Sequence, residues 1–228
     1  GARIILLMQV RGWFDPMRVF LINPNSTEAM TQTALAAARR AAPDLVFEGW
    51  TSHLGPPAIE GPEDGARAVP PLLKLIDQAA AQGAGAIIIA CFDDTGLAEA
   101  QARVSCPVIG IGQASFVMAQ LRGGSSAVIT TVPEAIPVIQ ENLRAQGFAQ
   151  TIKVVEAANT PVLSLTEDPE WAAAQFLKLA RNLPQGTRSL ILGCSGAVSI
   201  IEALSRDLDL VLIDGVTAAA RLATVLRP

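Results

Sequence analysis

Histidine and tyrosine are nearly missing from this chain of 228 residues: His53 stands alone, and there is no tyrosine. A Ser-His-Asp triad would have to recruit His53, and no GxSxG turn accompanies it. A zinc site of the Cys/His kind would need ligands drawn from distant segments. Cysteine is scarce too: Cys91, Cys106 and Cys194 are an odd set without CxxC spacing. A disulfide framework does not suit so long a chain, and free thiols suit a reducing, cytoplasmic setting. Walker A and GxGxxG patterns are absent, so no phosphate-cradling loop is written into the chain. There is no basic run, and the net charge is -4, which leaves no footing for nucleic acid. No apolar run approaches the roughly 18 residues of a membrane span, so no membrane partner is expected.

What is present is a regular alternation. Short apolar runs predict strands at 18–23, 45–51, 86–91, 107–110, 125–131, 152–157, 188–193 and 209–213. Stretches rich in Ala, Leu and Arg predict helices at 28–42, 66–82, 95–103, 134–146, 170–181, 196–205 and 216–226. Ser26 or Thr27 is placed to cap the first helix, and Asp214 the last. Strands alternating with helices imply an α/β fold whose parallel sheets are covered on both faces.

The chain also repeats itself. Val19-Phe20-Leu21-Ile22-Asn23-Pro24 corresponds to Ala127-Val128-Ile129-Thr130-Thr131-Val132-Pro133, and each precedes a helix opening with Glu-Ala. Ala86-Ile87-Ile88-Ile89-Ala90-Cys91 corresponds to Ser189-Leu190-Ile191-Leu192-Gly193-Cys194. Each thiol is followed by a helix and another apolar run. Matches in the same order predict two related α/β units, 17–111 and 112–215. Residues 1–16 differ in character and are set aside as an N-terminal extension.

The duplication carries the functional expectation. Each thiol falls at the carboxyl end of a buried strand, where ligands of open parallel sheets bind. One thiol from each unit can face the other across a single cleft, an arrangement suited to moving a proton from one face of a carbon to the other. Cys106 has no such counterpart and is read as structural.

Five segments together resemble the aspartate/glutamate/hydantoin racemase family, most nearly its hydantoin and allantoin branch. They are Ile22-Asn23-Pro24-Asn25-Ser26-Thr27, Gly55-Pro56-Pro57-Ala58-Ile59-Glu60-Gly61, Ala90-Cys91-Phe92-Asp93-Asp94, Leu192-Gly193-Cys194-Ser195-Gly196 and Ile213-Asp214-Gly215. The resemblance implies two doubly wound domains with the active site in the cleft between them. It further implies a C-terminal helix (216–228) packed back on the first domain, and a homo-oligomer. It also implies that Cys91 and Cys194 are catalytic without any cofactor or metal, inverting C5 of 5-monosubstituted hydantoins or of allantoin. Amino-acid racemases of this family carry Cys-Asn-Thr where this chain has Cys91-Phe92-Asp93, which favours a ring substrate over free aspartate or glutamate.

Substrate contacts are expected from Asn23, Ile59, Glu60, Phe92, Asp93, Thr130, Thr131, Ser195 and Gly196. Asn23, Thr130, Thr131 and Ser195 are candidate donors to a developing enolate oxygen. Asp93 and Asp94 are otherwise read as residues that start the next helix. Helix N–H groups beside Cys194, and carboxylates beside Cys91, make Cys194 the easier thiolate. Two alternatives stay open: a single-thiol isomerase or decarboxylase of the same fold, and a non-catalytic module that binds a small ligand.

Overall fold

The structure is a computed structural model that describes residues 17–226, so the N-terminal extension lies outside the described residues. Strands β1 (Arg18–Asn23), β2 (Val46–Thr51), β3 (Ala86–Ile89) and β4 (Val108–Gly110) form a parallel sheet in the order β2-β1-β3-β4. Strands β5 (Ser125–Thr130), β6 (Ile152–Ala157), β7 (Thr187–Gly193) and β8 (Val211–Asp214) form a second in the order β6-β5-β7-β8. Every pairing is parallel. The two sheets are wound alike, as the internal repeat predicts.

Both sheets are apolar on both faces, which is why their strands read as unbroken hydrophobic runs. In the first, Val19, Leu21 and Ile88 face a core shared with the second sheet's Val128, Ile191 and Ile213. Phe20, Ile22, Ile87 and Ile89 face outward onto α2 (Pro62–Ala81) and α3 (Leu97–Arg103). In the second, Ile129, Leu190 and Leu192 face α7 (Pro169–Ala180) and α8 (Ile201–Asp207). Each fully buried Ile or Leu contributes roughly 1.5–3 kcal/mol relative to exposure, so the shared central core binds the two units into one body.

Helices α1 (Glu28–Ala41), α4 (Ile111–Arg122) and α9 (Gly215–Val225) fill that centre. The last helix packs against α1 and α4, and Asp214 Oδ1 caps it by accepting from Thr217 N at 2.8 Å. The remaining helices are α5 (Ile136–Ala145) and the single turn α6 (Ser164–Glu167). Among the described residues, no helix is long and apolar enough to cross a membrane.

Three local expectations are corrected. Helix α4 is absent from the sequence reading because Ile111, Ala114, Ser115, Phe116 and Ala119 bury more than one face and blur the helical period. Helix α2 starts at Pro62 rather than four residues later, since proline suits the first helical turn. Thr27 stands at the N-cap of α1, yet its hydroxyl donates to Pro57 O at 2.7 Å and joins two loops instead of capping.

Candidate functional site

A strand order of 2-1-3-4 reverses direction between its first and third strands, and that reversal opens a crevice at their carboxyl ends. In the first sheet the crevice lies between the loops after β1 and β3; in the second, between those after β5 and β7. All four loops converge. One cavity is lined by Asn25 after β1, Cys91 after β3, Thr130 and Thr131 at the end of β5, and Cys194 after β7. Met30, Ile59, Phe92, Ala135 and Val162 supply apolar wall, and Asp93 and Ser195 border it. None of the described residues lining it is Lys, Arg or His. Its volume is about 30 Å³, small beside the roughly 300–1,000 Å³ of pockets that enclose drug-sized ligands. A separate groove of about 710 Å³ between α3, α4 and α9 includes Cys106 and neither of the other thiols.

The loop after β1 is built by amide chemistry. Asn23 Nδ2 donates to Asn25 Oδ1 at 2.8 Å and Thr31 Oγ1 at 3.1 Å, while Asn23 Oδ1 accepts from Asn25 N at 3.1 Å. Asn25 Oδ1 in turn accepts from Thr27 N at 3.0 Å. The segment 55–61 lies directly on this loop. Ser26 N donates to Pro56 O at 2.9 Å, and a Cβ on Gly55 would stand 2.2 Å from Pro24 O, so only glycine allows the approach. This stacking carries Ile59 over the cavity and extends Glu60 to the other unit, where Oε1 accepts from Val162 N at 2.7 Å.

The two thiols sit in matched places with different surroundings. Cys91 leaves β3 into a tight turn closed by Asp94 N donating to Cys91 O at 3.1 Å, and its Sγ lies 3.3 Å from Thr95 Oγ1. Cys194 follows β7 directly and forms the N-cap of a 3-10 turn over Ser195–Ser199. The N–H groups of Gly196 and Ser195 donate toward its sulfur. Burial pushes both thiols up. Cys91 rises furthest, first through burial and then through the charge of Asp93, against donation from Thr95 and Asp93 N–H. Cys194 is pushed up to about 12 by burial, opposed by Gly196 N–H, with the charges of Asp93 and Glu60 adding to the rise. Burial likewise raises Asp93 to about 7.

Most of the expected site residues meet at the cavity: Cys91, Cys194, Ile59, Phe92, Asp93, Thr130, Thr131 and Ser195. Asn23 does not line it, because its amide is spent inside the turn, and its neighbour Asn25 takes the wall position. Glu60 stands at the rim, bound to Val162 N, and Gly196 acts through its N–H on the Cys194 sulfur. Thr130 Oγ1 donates to Gly193 O at 2.9 Å, which locks β5 to β7 and removes that proton from service to a ligand. Asp94 does not start the following helix; it reaches the N-terminus of α4, accepting from Gly112 N at 3.0 Å and Gln113 N at 2.8 Å. Met30, Ala135 and Val162 escaped the sequence reading, since each is one apolar residue among many in its segment.

Known proteins match over nearly the whole chain. A family model described as Asp/Glu/Hydantoin racemase matches residues 19–223. A hydantoin racemase from Rhizobium meliloti is 38% identical over 219 residues, covering 92% of this chain and 88% of that protein. A hydantoin racemase from Paenarthrobacter aurescens is 31% identical over 212 residues, covering 91% and 89%. Among solved structures, an allantoin racemase from Klebsiella pneumoniae superposes with a TM-score of 0.86 at 34% identity, covering 92% of this chain and 87% of that one.

Proposed function

The chain belongs to the Asp/Glu/Hydantoin racemase family and is an isomerase of the racemase type, and we propose that it inverts C5 of 5-monosubstituted hydantoins or of the related ring of allantoin. Cys91 and Cys194 serve as the two bases. The observation that carries this reading is the single cavity lined by both sulfurs, one from the switch point of each sheet.

In the proposed reaction, the thiolate on one face of the ring takes the C5 proton. The C5–H bond breaks, an S–H bond forms, and the electron pair moves into the adjacent ring carbonyl as an enolate. The thiol on the opposite face then gives its proton to C5 and is left as thiolate. Nothing is oxidised or reduced, and the opposite enantiomer reverses the roles. A raised thiol pKa works in two directions here: it makes the thiolate rare at neutral pH but makes it a stronger base toward a weak carbon acid. The hydroxyls of Thr131 and Ser195 border the cavity and suit the enolate oxygen.

The wall favours a neutral ring over a free amino acid. No cationic side chain lines the described cavity to pair an α-carboxylate, and Asp93 would repel one. Hydantoin presents imide and amide groups with no ionised carboxylate.

The test uses one enantiomer of a 5-substituted hydantoin in heavy water without metal or pyridoxal phosphate. Loss of optical rotation with deuterium at C5 is expected. Cys91→Ala and Cys194→Ala should each abolish it, and inversion retained in either variant would reject the pair. Carbon dioxide release from an arylmalonate would favour the single-thiol alternative, and binding without turnover the ligand-binding module.

A further inference from the structure

Two thiols working on opposite faces of one carbon must be held at a set separation, yet they belong to different units. Cys194 is fixed within the second unit by β7 and the turn that follows. Cys91 sits on a loop of the first. A direct tie between that loop and the second unit is made by two amides on neighbouring turns. Asn142 Nδ2 donates to Asp93 O at 2.7 Å, and Gln146 Nε2 donates to Asp94 Oδ2 at 3.1 Å. Asn142 lies on α5 and Gln146 closes its C-terminus, donating its own N–H to Asn142 O at 2.9 Å. Helix α5 is itself anchored in the shared core by Ile139 and Leu143. Resting on the two-thiol reading above, we propose that Asn142 and Gln146 are positioning residues that set the Cys91 sulfur against Cys194 by gripping Asp93 and Asp94.

The loop they hold is unusually constrained. Asp94 has φ 50, a left-handed conformation that non-glycine residues seldom adopt. Its buried carboxylate is gripped by Gly112 N, Gln113 N and the Gln146 amide together. Space for this has been cleared on α4: a Cβ on Gly112 would come within 2.3 Å of Phe92 O.

A second observation separates positioning from plain stabilisation. Gln146 Oε1 is buried and accepts no hydrogen bond from any protein group among the described residues. The amide orientation is set by Asp94, since the reverse would bring two acceptors together. A buried carbonyl left unpaired weakens the fold, so methionine, of similar length and without polar atoms, is the better residue for packing alone. The amide is useful for what its N–H holds, one residue along the chain from Asp93 and three from Cys91.

The experiment compares Gln146→Met and Asn142→Ala with the parent in three measurements: Tm, kcat/KM, and the primary isotope effect of C5 deuterium on each enantiomer. The equilibrium constant is one, so kcat/KM must fall equally in both directions; the expected fall is tenfold or more. The isotope effects should diverge. They rise for the enantiomer whose proton passes to Cys91 and fall for the one deprotonated by Cys194, because every step at Cys91 becomes slower. Tm of Gln146→Met should fall by no more than a few degrees, since loss of the N–H to Asp94 is offset in part by removal of the Oε1 that the protein leaves unpaired. Parent rates and isotope effects in both variants would overturn the proposal, as would a loss that follows Tm downward with isotope effects unchanged. If Cys91→Ala still racemises, the two-thiol reading itself falls; if both cysteine variants are dead while the amide variants behave as the parent, only the positioning role falls.

Discussion

The two halves share strand order, strand direction and the place of the thiol, but not the thiol's surroundings. Cys194 lies at the start of a 3-10 turn with two N–H groups toward its sulfur. Cys91 sits in a strained loop with a hydroxyl at 3.3 Å and a carboxylate two residues on. The difference shows which properties a duplicated fold fixes. Topology sets where a residue emerges, because the crevice follows from strand order. Acidity is left to the few residues after the strand, and those are free to differ between halves.

The comparison breaks most visibly if the sulfurs do not address opposite faces. Cys91→Ser and Cys194→Ser should each lower racemisation by about 10³-fold or more, while each keeps C5 exchange into heavy water for a different enantiomer. Exchange retained for the same enantiomer in both variants would put both thiols on one face.

Next in size is the pH response. Both thiols are raised, so the thiolate fraction, and with it kcat/KM, should climb about tenfold per pH unit through the mildly alkaline range. Asp93 raises both, so Asp93→Asn should move that climb to lower pH at each sulfur. The same variant tests stability. Burial raises the Asp93 carboxyl to about 7 in the folded protein, from an ordinary 3.8. The folded state therefore prefers it protonated, and stability is lost as pH rises through the window from about 4 to 7. Asp93→Asn should match the parent near pH 4 and exceed it above pH 7 by on the order of 1–2 kcal/mol in denaturant unfolding, after discounting for solvent access.

A smaller effect sharpens the contrast. The charge of Glu60 acts on Cys194. Glu60→Gln keeps an acceptor for Val162 N and removes the charge, so Cys194 should ionise at lower pH while Cys91 stays in place, as read by thiol titration of the single-cysteine variants. Smallest of all, Cys106→Ala should change racemisation by less than about twofold and stability by within about 0.5 kcal/mol, since that thiol lies in the separate groove.

The strands and both thiols were legible because doubly buried strands leave unbroken apolar runs, and a cysteine at the end of such a run marks the crevice. Helix α4 was hidden by the same burial: Ile111, Ala114, Phe116 and Ala119 face several neighbours at once and erase the amphipathic period. Its polar partner, Asp94, comes from another loop, so no capping residue announces it locally. Within the Asn23-Pro24-Asn25 motif the expected contact is Asn23, whereas Asn25 is the asparagine that lines the cavity. Which amide turns inward is decided by Thr31 on α1, a contact that no spacing encodes. Met30 and Val162 border the cavity only because distant loops stack over it.

The link from Glu60 to Val162 spans the rim of a space of only about 30 Å³. On the reading proposed above, a five-membered ring is larger than this space, so the Glu60–Val162 link is expected to part for its entry and for the departure of the inverted product. Throughput then answers to friction as well as to chemistry: glycerol or sucrose should slow turnover in step with solvent viscosity even though neither sulfur is altered.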